Sequence, residues 1–127
     1  MNKIKILLLD DDEQVRFNLE LFFEDEGFEC SAFENSESAL NALKDNYFDV
    51  AIVDIRLPGI DGEDFITASF PLAPHLKYLI HTGSAQYRLP DKLIMPGIAI
   101  EGVFYKPVSD MSIFTKKINS LFNSPEK

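Results

Sequence analysis

The stretch Ile4-Lys5-Ile6-Leu7-Leu8-Leu9-Asp10-Asp11-Asp12 decides the fold. Its first six residues are a short, nearly continuous apolar run, the pattern of a strand covered on both faces in a parallel sheet. The three acids that follow at once are costly at a strand end, because like charges held side by side repel. A divalent cation with a preference for hard oxygen ligands, typically Mg²⁺, relieves that repulsion. One aspartate there reads as a polar strand end or a helix cap. A second run, Val50-Ala51-Ile52-Val53, also ends in an acid, Asp54, and this tips the reading toward a metal site.

Outward from these two runs the chain alternates strand and helix signals. Asp11 or Asp12 caps a helix whose apolar positions Val15, Leu19, Phe22 and Phe23 fall on one face, and Gly27 stops it. Phe28 to Phe33 reads as a second strand. Ser36 caps a helix with Ala39, Leu40 and Leu43 on its inner side. After Val50–Val53, Leu57-Pro58-Gly59 forms a loop, and Asp61-Gly62 starts a short helix carrying Phe65 and Ile66 and ended by Pro71. Tyr78 to His81 is a fourth strand, and Ile98 to Tyr105 contains a fifth. The last helix, roughly Asp110 to Phe122, has Ile113, Phe114, Ile118, Leu121 and Phe122 on one face. Between Ser84 and Gly97, Pro90, Pro96 and Gly97 predict a short or irregular helix or a loop, since proline lacks the amide donor and clashes with the preceding turn.

This order gives an α/β fold, a doubly wound five-stranded parallel sheet with helices on both faces and right-handed crossovers. Ligands of such sheets sit beyond the carboxyl ends of the strands at the switch point. In the order 2-1-3-4-5, strands one and three are neighbours and Asp10, Asp11 and Asp54 converge.

A chain of 127 residues, 46% of them hydrophobic, makes one globular domain. Residues 1–122 are read as that domain and 123–127 as a tail or the start of a linker. The net charge of −9 argues against nucleic-acid binding by these residues, because phosphate affinity rests on Lys and Arg. Cys30 stands alone, so no internal disulfide forms. No apolar run reaches the length of a membrane span and no signal peptide is apparent, which together point to the cytoplasm.

The strand ends then assemble a chemistry. Strand one offers Asp10 and Asp11, strand three Asp54, strand four Thr82 and strand five Lys106. Carboxylates hold the cation, while a hydroxyl and an ammonium hold an anionic group beside it. That set suits phosphoryl transfer, where positioning and charge neutralisation do most of the catalysis. A carboxylate can itself be the nucleophile.

Four motifs, Leu-Leu-Leu-Asp10-Asp11-Asp12, Val53-Asp54-Ile55-Arg56-Leu57-Pro58-Gly59-Ile60-Asp61-Gly62, His81-Thr82-Gly83 and Tyr105-Lys106-Pro107, span nearly the whole chain. Together they resemble the receiver domain of a two-component response regulator, with its flavodoxin-like (CheY-like) fold. The resemblance implies that Asp54 is the phosphoacceptor. It makes Asp11 a direct ligand of Mg²⁺ (or Mn²⁺), Asp10 a ligand chiefly through water, and the backbone carbonyl of Arg56 a further ligand. Thr82 and Lys106 would each hold a phosphate oxygen, and the Lys106-Pro107 bond would be cis. The donor would be a phosphohistidine of a histidine kinase or phosphotransfer protein, the reader an unspecified downstream output domain or protein, and a homodimer is compatible with the family. Such a domain is a phosphoacceptor that assists its own phosphorylation and dephosphorylation, not a turnover enzyme.

Three positions depart from the family pattern. Val103 stands where most receivers carry a switching aromatic, with Tyr105 on the same face and Phe104 on the other. The fourth helix is interrupted. Gly83 replaces a common alanine, and Arg56 is placed either to reach over the site or to stand in solvent. A pseudo-receiver that binds partners without phosphorylation is the alternative. A haloacid-dehalogenase-type phosphatase fits Asp10 and Asp12 but fails at Gln14.

Overall fold

In the computed structural model, which describes residues 3–122, five parallel strands form one sheet in the order β2-β1-β3-β4-β5. The strands are β1 (Lys5–Leu9), β2 (Glu29–Phe33), β3 (Val50–Val53), β4 (Lys77–Thr82) and β5 (Ala99–Tyr105). The helices are α1 (Glu13–Asp25), α2 (Ser36–Asp45), α3 (Gly62–Leu72) and α4 (Ser112–Phe122). The expected tail 123–127 lies outside the described residues.

The continuous apolar runs are explained by burial on two faces. Leu7, Leu9, Ala51, Val53 and Ile80 face a core closed by Ala39 and Leu43 of α2 and Phe65 and Ile66 of α3. Ile6, Leu8, Val50, Ile52 and Leu79 face the other core, closed by Leu19 and Phe23 of α1 and Phe114 and Ile118 of α4. Alternate residues of one strand therefore serve opposite cores, so no position from Ile6 to Leu9 or in β3 is free to be polar, while half-buried Lys5 at the start of β1 is.

Between β4 and β5 a single 3-10 turn, Asp91–Leu93, stands in place of an α-helix, as the prolines predict. Leu93 anchors it in the α2/α3-side core, while Ile94 and Met95 are exposed.

Several local expectations are corrected. Asn35, not Ser36, caps α2, its side chain accepting from the Ser38 amide. Ser36 is buried instead, its hydroxyl donating to the Ile60 carbonyl at 2.7 Å. Pro71 does not end α3, which continues to Leu72. Proline in the last turn removes one bond only, and the Ala73 amide still reaches the Ser69 carbonyl at 2.9 Å. Ile113 is exposed, so the buried stripe of α4 rests on Phe114 and Ile118. Asp12 is the α1 cap, accepting from the Gln14 and Val15 amides, which leaves Asp11 without that duty.

Candidate functional site

Register builds the site. Leu9 of β1 pairs with Val53 of β3, so the next residues, Asp10 and Asp54, emerge side by side. Thr82 closes β4 opposite Tyr105, and Lys106 follows. Backbone bonds fix each exit: the Asp54 amide donates to the Leu9 carbonyl at 2.9 Å and the Lys106 amide to the Thr82 carbonyl at 2.7 Å.

One carboxylate oxygen from each of Asp10, Asp11 and Asp54 lies within 4.8 Å of the other two. Asp10 and Asp54 are buried and Asp11 is exposed. Lys106 Nζ stands 3.0 Å from Asp10 Oδ2 and 3.3 Å from Asp54 Oδ2. The second Asp10 oxygen, Oδ1, accepts from the Asp12 amide at 2.9 Å. Asp10 Oδ2 is buried with no hydrogen bond aligned on it, only the ion pair to Lys106. Three acids converging around one ammonium leave excess negative charge and unused oxygen lone pairs. Hard oxygen donors in such a cluster fit a divalent cation.

The charge conflict shows in Asp54. Burial, and then the neighbouring Asp10 charge, push its carboxyl up to about 6, against the opposing pull of Lys106 and the Arg56 amide. Burial pulls the Lys106 ammonium down, but Asp10 and Asp54 outweigh it and the net shift is upward. Thr82 is fully buried, and its Oγ1 accepts from the Ser84 amide at 3.1 Å, leaving its own proton free to be donated.

The Lys106-Pro107 peptide is cis, as expected. The Arg56 side chain is exposed. Val103 packs into the α2/α3-side core, while the Tyr105 ring is partly exposed and its hydroxyl donates to the Tyr87 carbonyl at 3.1 Å. His75 is structural: Nε2 bonds the Phe48 carbonyl at 2.9 Å and the ring stacks on Tyr47. His81 is buried, its ring edge-on to Phe114 with centroids 5.3 Å apart.

Residues that support the site escaped the sequence reading. A Cβ on Gly62 would fall 2.1 Å from the Asp54 carbonyl oxygen, so only glycine lets α3 begin against this strand end. The Arg16 guanidinium donates to the Asp10 carbonyl at 2.8 Å, and Tyr87 donates to Glu63 at 2.8 Å. The Asp61-Gly62 pair was a visible signal; Arg16 and Tyr87 carried none, because their partners are set by packing.

Residues 6–118 match the family model of the response regulator receiver domain. The chain is 35% identical over 82 residues to the DNA-binding transcriptional regulator NtrC of Proteus hauseri, covering 65% of this chain and 17% of that protein. It is 33% identical over 88 residues to the response regulator receiver protein CpdR of Brucella abortus, covering 68% of this chain and 73% of that one. Among solved structures it resembles the response regulator TrrA of Thermotoga maritima, described in complex with Mg²⁺-BeF, with a TM-score of 0.79 and 25% identity over 94% of this chain and 99% of that one. The chain spans about a fifth of the length of the NtrC and DctD regulators it matches. With the sheet order, the acid cluster and this match in agreement, the chain belongs to the response regulator receiver domain family.

Proposed function

We propose that the chain is a phosphorylatable receiver in which Asp54 is the acceptor. The observation that supports this most is the convergence of Asp10, Asp11 and Asp54 on one side of Lys106, with Asp54 reached by both the cluster and the ammonium. In the reaction an Asp54 carboxylate oxygen forms a bond to phosphorus, and the bond from phosphorus to the donor histidine nitrogen breaks, the imidazole leaving with the electron pair. The donor class is a phosphohistidine on a sensor kinase or phosphotransfer protein.

Asp10, Asp11, Asp54 and the Arg56 backbone carbonyl would hold Mg²⁺ or Mn²⁺. When bound, the ion neutralises charge on the phosphoryl oxygens. The chain's own groups do the rest. Lys106 holds the Asp54 carboxylate before transfer and a phosphoryl oxygen after it. Thr82, its hydroxyl proton free, donates to a second oxygen. The domain works in the cytoplasm as a switch read by a downstream partner, and its net charge of −9 assigns any DNA contact to other residues.

Two features bear on the alternative, a partner-binding module that is never phosphorylated: Val103 at the usual aromatic position, and the 3-10 turn in place of a helix. Intact mass after incubation with Mg²⁺ and acetyl phosphate or phosphoramidate separates the two. A gain of one phosphoryl group that requires Mg²⁺ and is absent in Asp54→Asn is expected. No gain in folded, Mg²⁺-binding protein would support the unphosphorylated module.

A further inference from the structure

Asp11 stands apart from the other two acids of the cluster. Asp10 is held by Lys106 and by the Asp12 amide, and Asp54 by Lys106. The Asp11 carboxylate is exposed and meets no hydrogen-bond donor or cation among the described residues. One of its oxygens still lies within 4.8 Å of an oxygen of each of the others. What aims it must therefore act through the backbone.

A peptide group is a rigid plane, so holding the planes before and after a residue sets the direction of its Cα–Cβ bond. The plane before Asp11 carries the Asp10 carbonyl, which accepts from Arg16 Nη1 at 2.8 Å. The plane after it carries the Asp12 amide, which donates to Asp10 Oδ1 at 2.9 Å. Only the torsions of the Asp11 side chain are then left to settle. Arg16 is itself restrained. Its side chain is 18% exposed, its Nη2 faces Glu34 Oε1 at 3.8 Å, and its amide donates to the Asp12 carbonyl at 2.9 Å. The Asp10 amide bonds the Phe33 carbonyl at 3.1 Å, so the end of β2 and the residue after it anchor both Asp10 and Arg16.

Charge and geometry make opposite demands on Arg16. By charge alone, a guanidinium beside a cation site repels the incoming ion, and its removal would tighten binding. As the group that fixes a peptide plane, its removal loosens Asp11 and weakens binding. Glu34 offsets part of the charge, whereas no other side chain among the described residues bonds the Asp10 carbonyl. We propose that Arg16 is a positioning residue of the metal site: by locking the Asp10–Asp11 peptide it aims the Asp11 carboxylate at the point where Asp10 and Asp54 converge, and this outweighs its repulsion of the ion. The proposal rests on the reading of the three acids as a divalent-cation site.

The test is the affinity of the unphosphorylated protein for Mn²⁺, read from the EPR signal of the free ion, in the parent, Arg16→Met, Asp11→Asn and the double variant. Methionine keeps much of the arginine stem and removes the charge and the donors. Arg16→Met should weaken binding about tenfold, as loss of an outer-shell group does. The same change made in Asp11→Asn should cost no more than about twofold, because a positioning residue acts only through the group it places. In the metal-free protein, the Asp10 carbonyl carbon resonance should move upfield in Arg16→Met, marking the lost hydrogen bond. Urea unfolding in EDTA checks that each protein is folded, and Arg16→Lys, which keeps the charge on a single-point donor, carries the same comparison with a smaller loss should Arg16→Met not fold. Unchanged or tighter binding in the Arg16 variants overturns the proposal, as does an equal loss in both backgrounds, which a merely structural role would give. Parent-like affinity in Asp11→Asn would overturn the metal reading itself and the proposal with it. No phosphoryl group enters the measurement, so the acceptor role of Asp54 is judged separately.

Discussion

Lys106 Nζ lies 3.3 Å from Asp54 Oδ2, a contact between residues 52 positions apart that joins the ends of two strands which are not themselves paired. The same ammonium reaches Asp10 at 3.0 Å. One cation thus restrains two buried acids. Lys106→Met should destabilise the metal-free protein by roughly 2 kcal/mol, below the ~3–5 kcal/mol for breaking a fully buried pair because Lys106 is partly exposed. Added Mg²⁺ should restore most of that loss, since it binds the folded state alone. Thermal melts in EDTA and in excess Mg²⁺ would show this, and a loss that Mg²⁺ leaves unchanged would contradict the charge argument.

Acid and base titrations should oppose each other in this fold. Asp54 is raised to about 6, so the folded state takes up its proton first, and the penalty of its buried charge is relieved as pH falls through 6. His81 is lowered to about 4, so the unfolded state takes up its proton first, and stability is lost as pH falls from about 6.5 to about 4. Across pH 4–6 the two slopes nearly cancel. In EDTA, Asp54→Asn should be more stable than the parent near neutral pH and should lose roughly 3 kcal/mol on acidification through the His81 window. Urea midpoints against pH for both proteins would read the difference; parallel profiles would refute it.

Gly62→Ala tests the close approach of α3 to the Asp54 strand end. The added methyl meets backbone rather than a flexible side chain. Overpacking of this kind costs about 1–3 kcal/mol, and Mg²⁺ affinity should fall with it, because the clash moves the Asp54 carbonyl. Calorimetric titration alongside urea unfolding would separate the two effects. A neutral substitution would mean the helix start shifts freely.

Tyr87 ties the irregular β4–β5 connection to the first turn of α3 through Glu63. Burial, and then the Glu63 carboxylate, push its phenol well above the usual range. Tyr87→Phe should cost about 1 kcal/mol and raise hydrogen exchange across residues 84–97 more than in β4. Unchanged exchange there would show that Leu93 alone holds the connection.

The two-faced strands, their order and the acids at their ends were legible from the sequence because each depends on a local pattern. A strand buried on both sides must be apolar throughout, and a carboxylate at its end is visible as soon as the run stops. The break in the fourth helix was equally local, since Pro90 and Pro96 act on their own backbone. Capping was legible only to within a residue. Asn35 and Ser36 are both good caps, and the choice went to Asn35 because the Ser36 hydroxyl is used by Ile60, 24 residues away.

Tertiary structure alone decided the rest. That Lys106 serves Asp10 as well as Asp54, that Gly62 admits α3 against the Asp54 carbonyl, and that His81 is buried with both nitrogens unmet all depend on distances between segments remote in the chain. The sequence by itself determined which residues reach the carboxyl edge of the sheet. Packing determined what each one meets there, because a side chain's partners, its desolvation and hence its charge are properties of the assembled core and not of its neighbours in sequence.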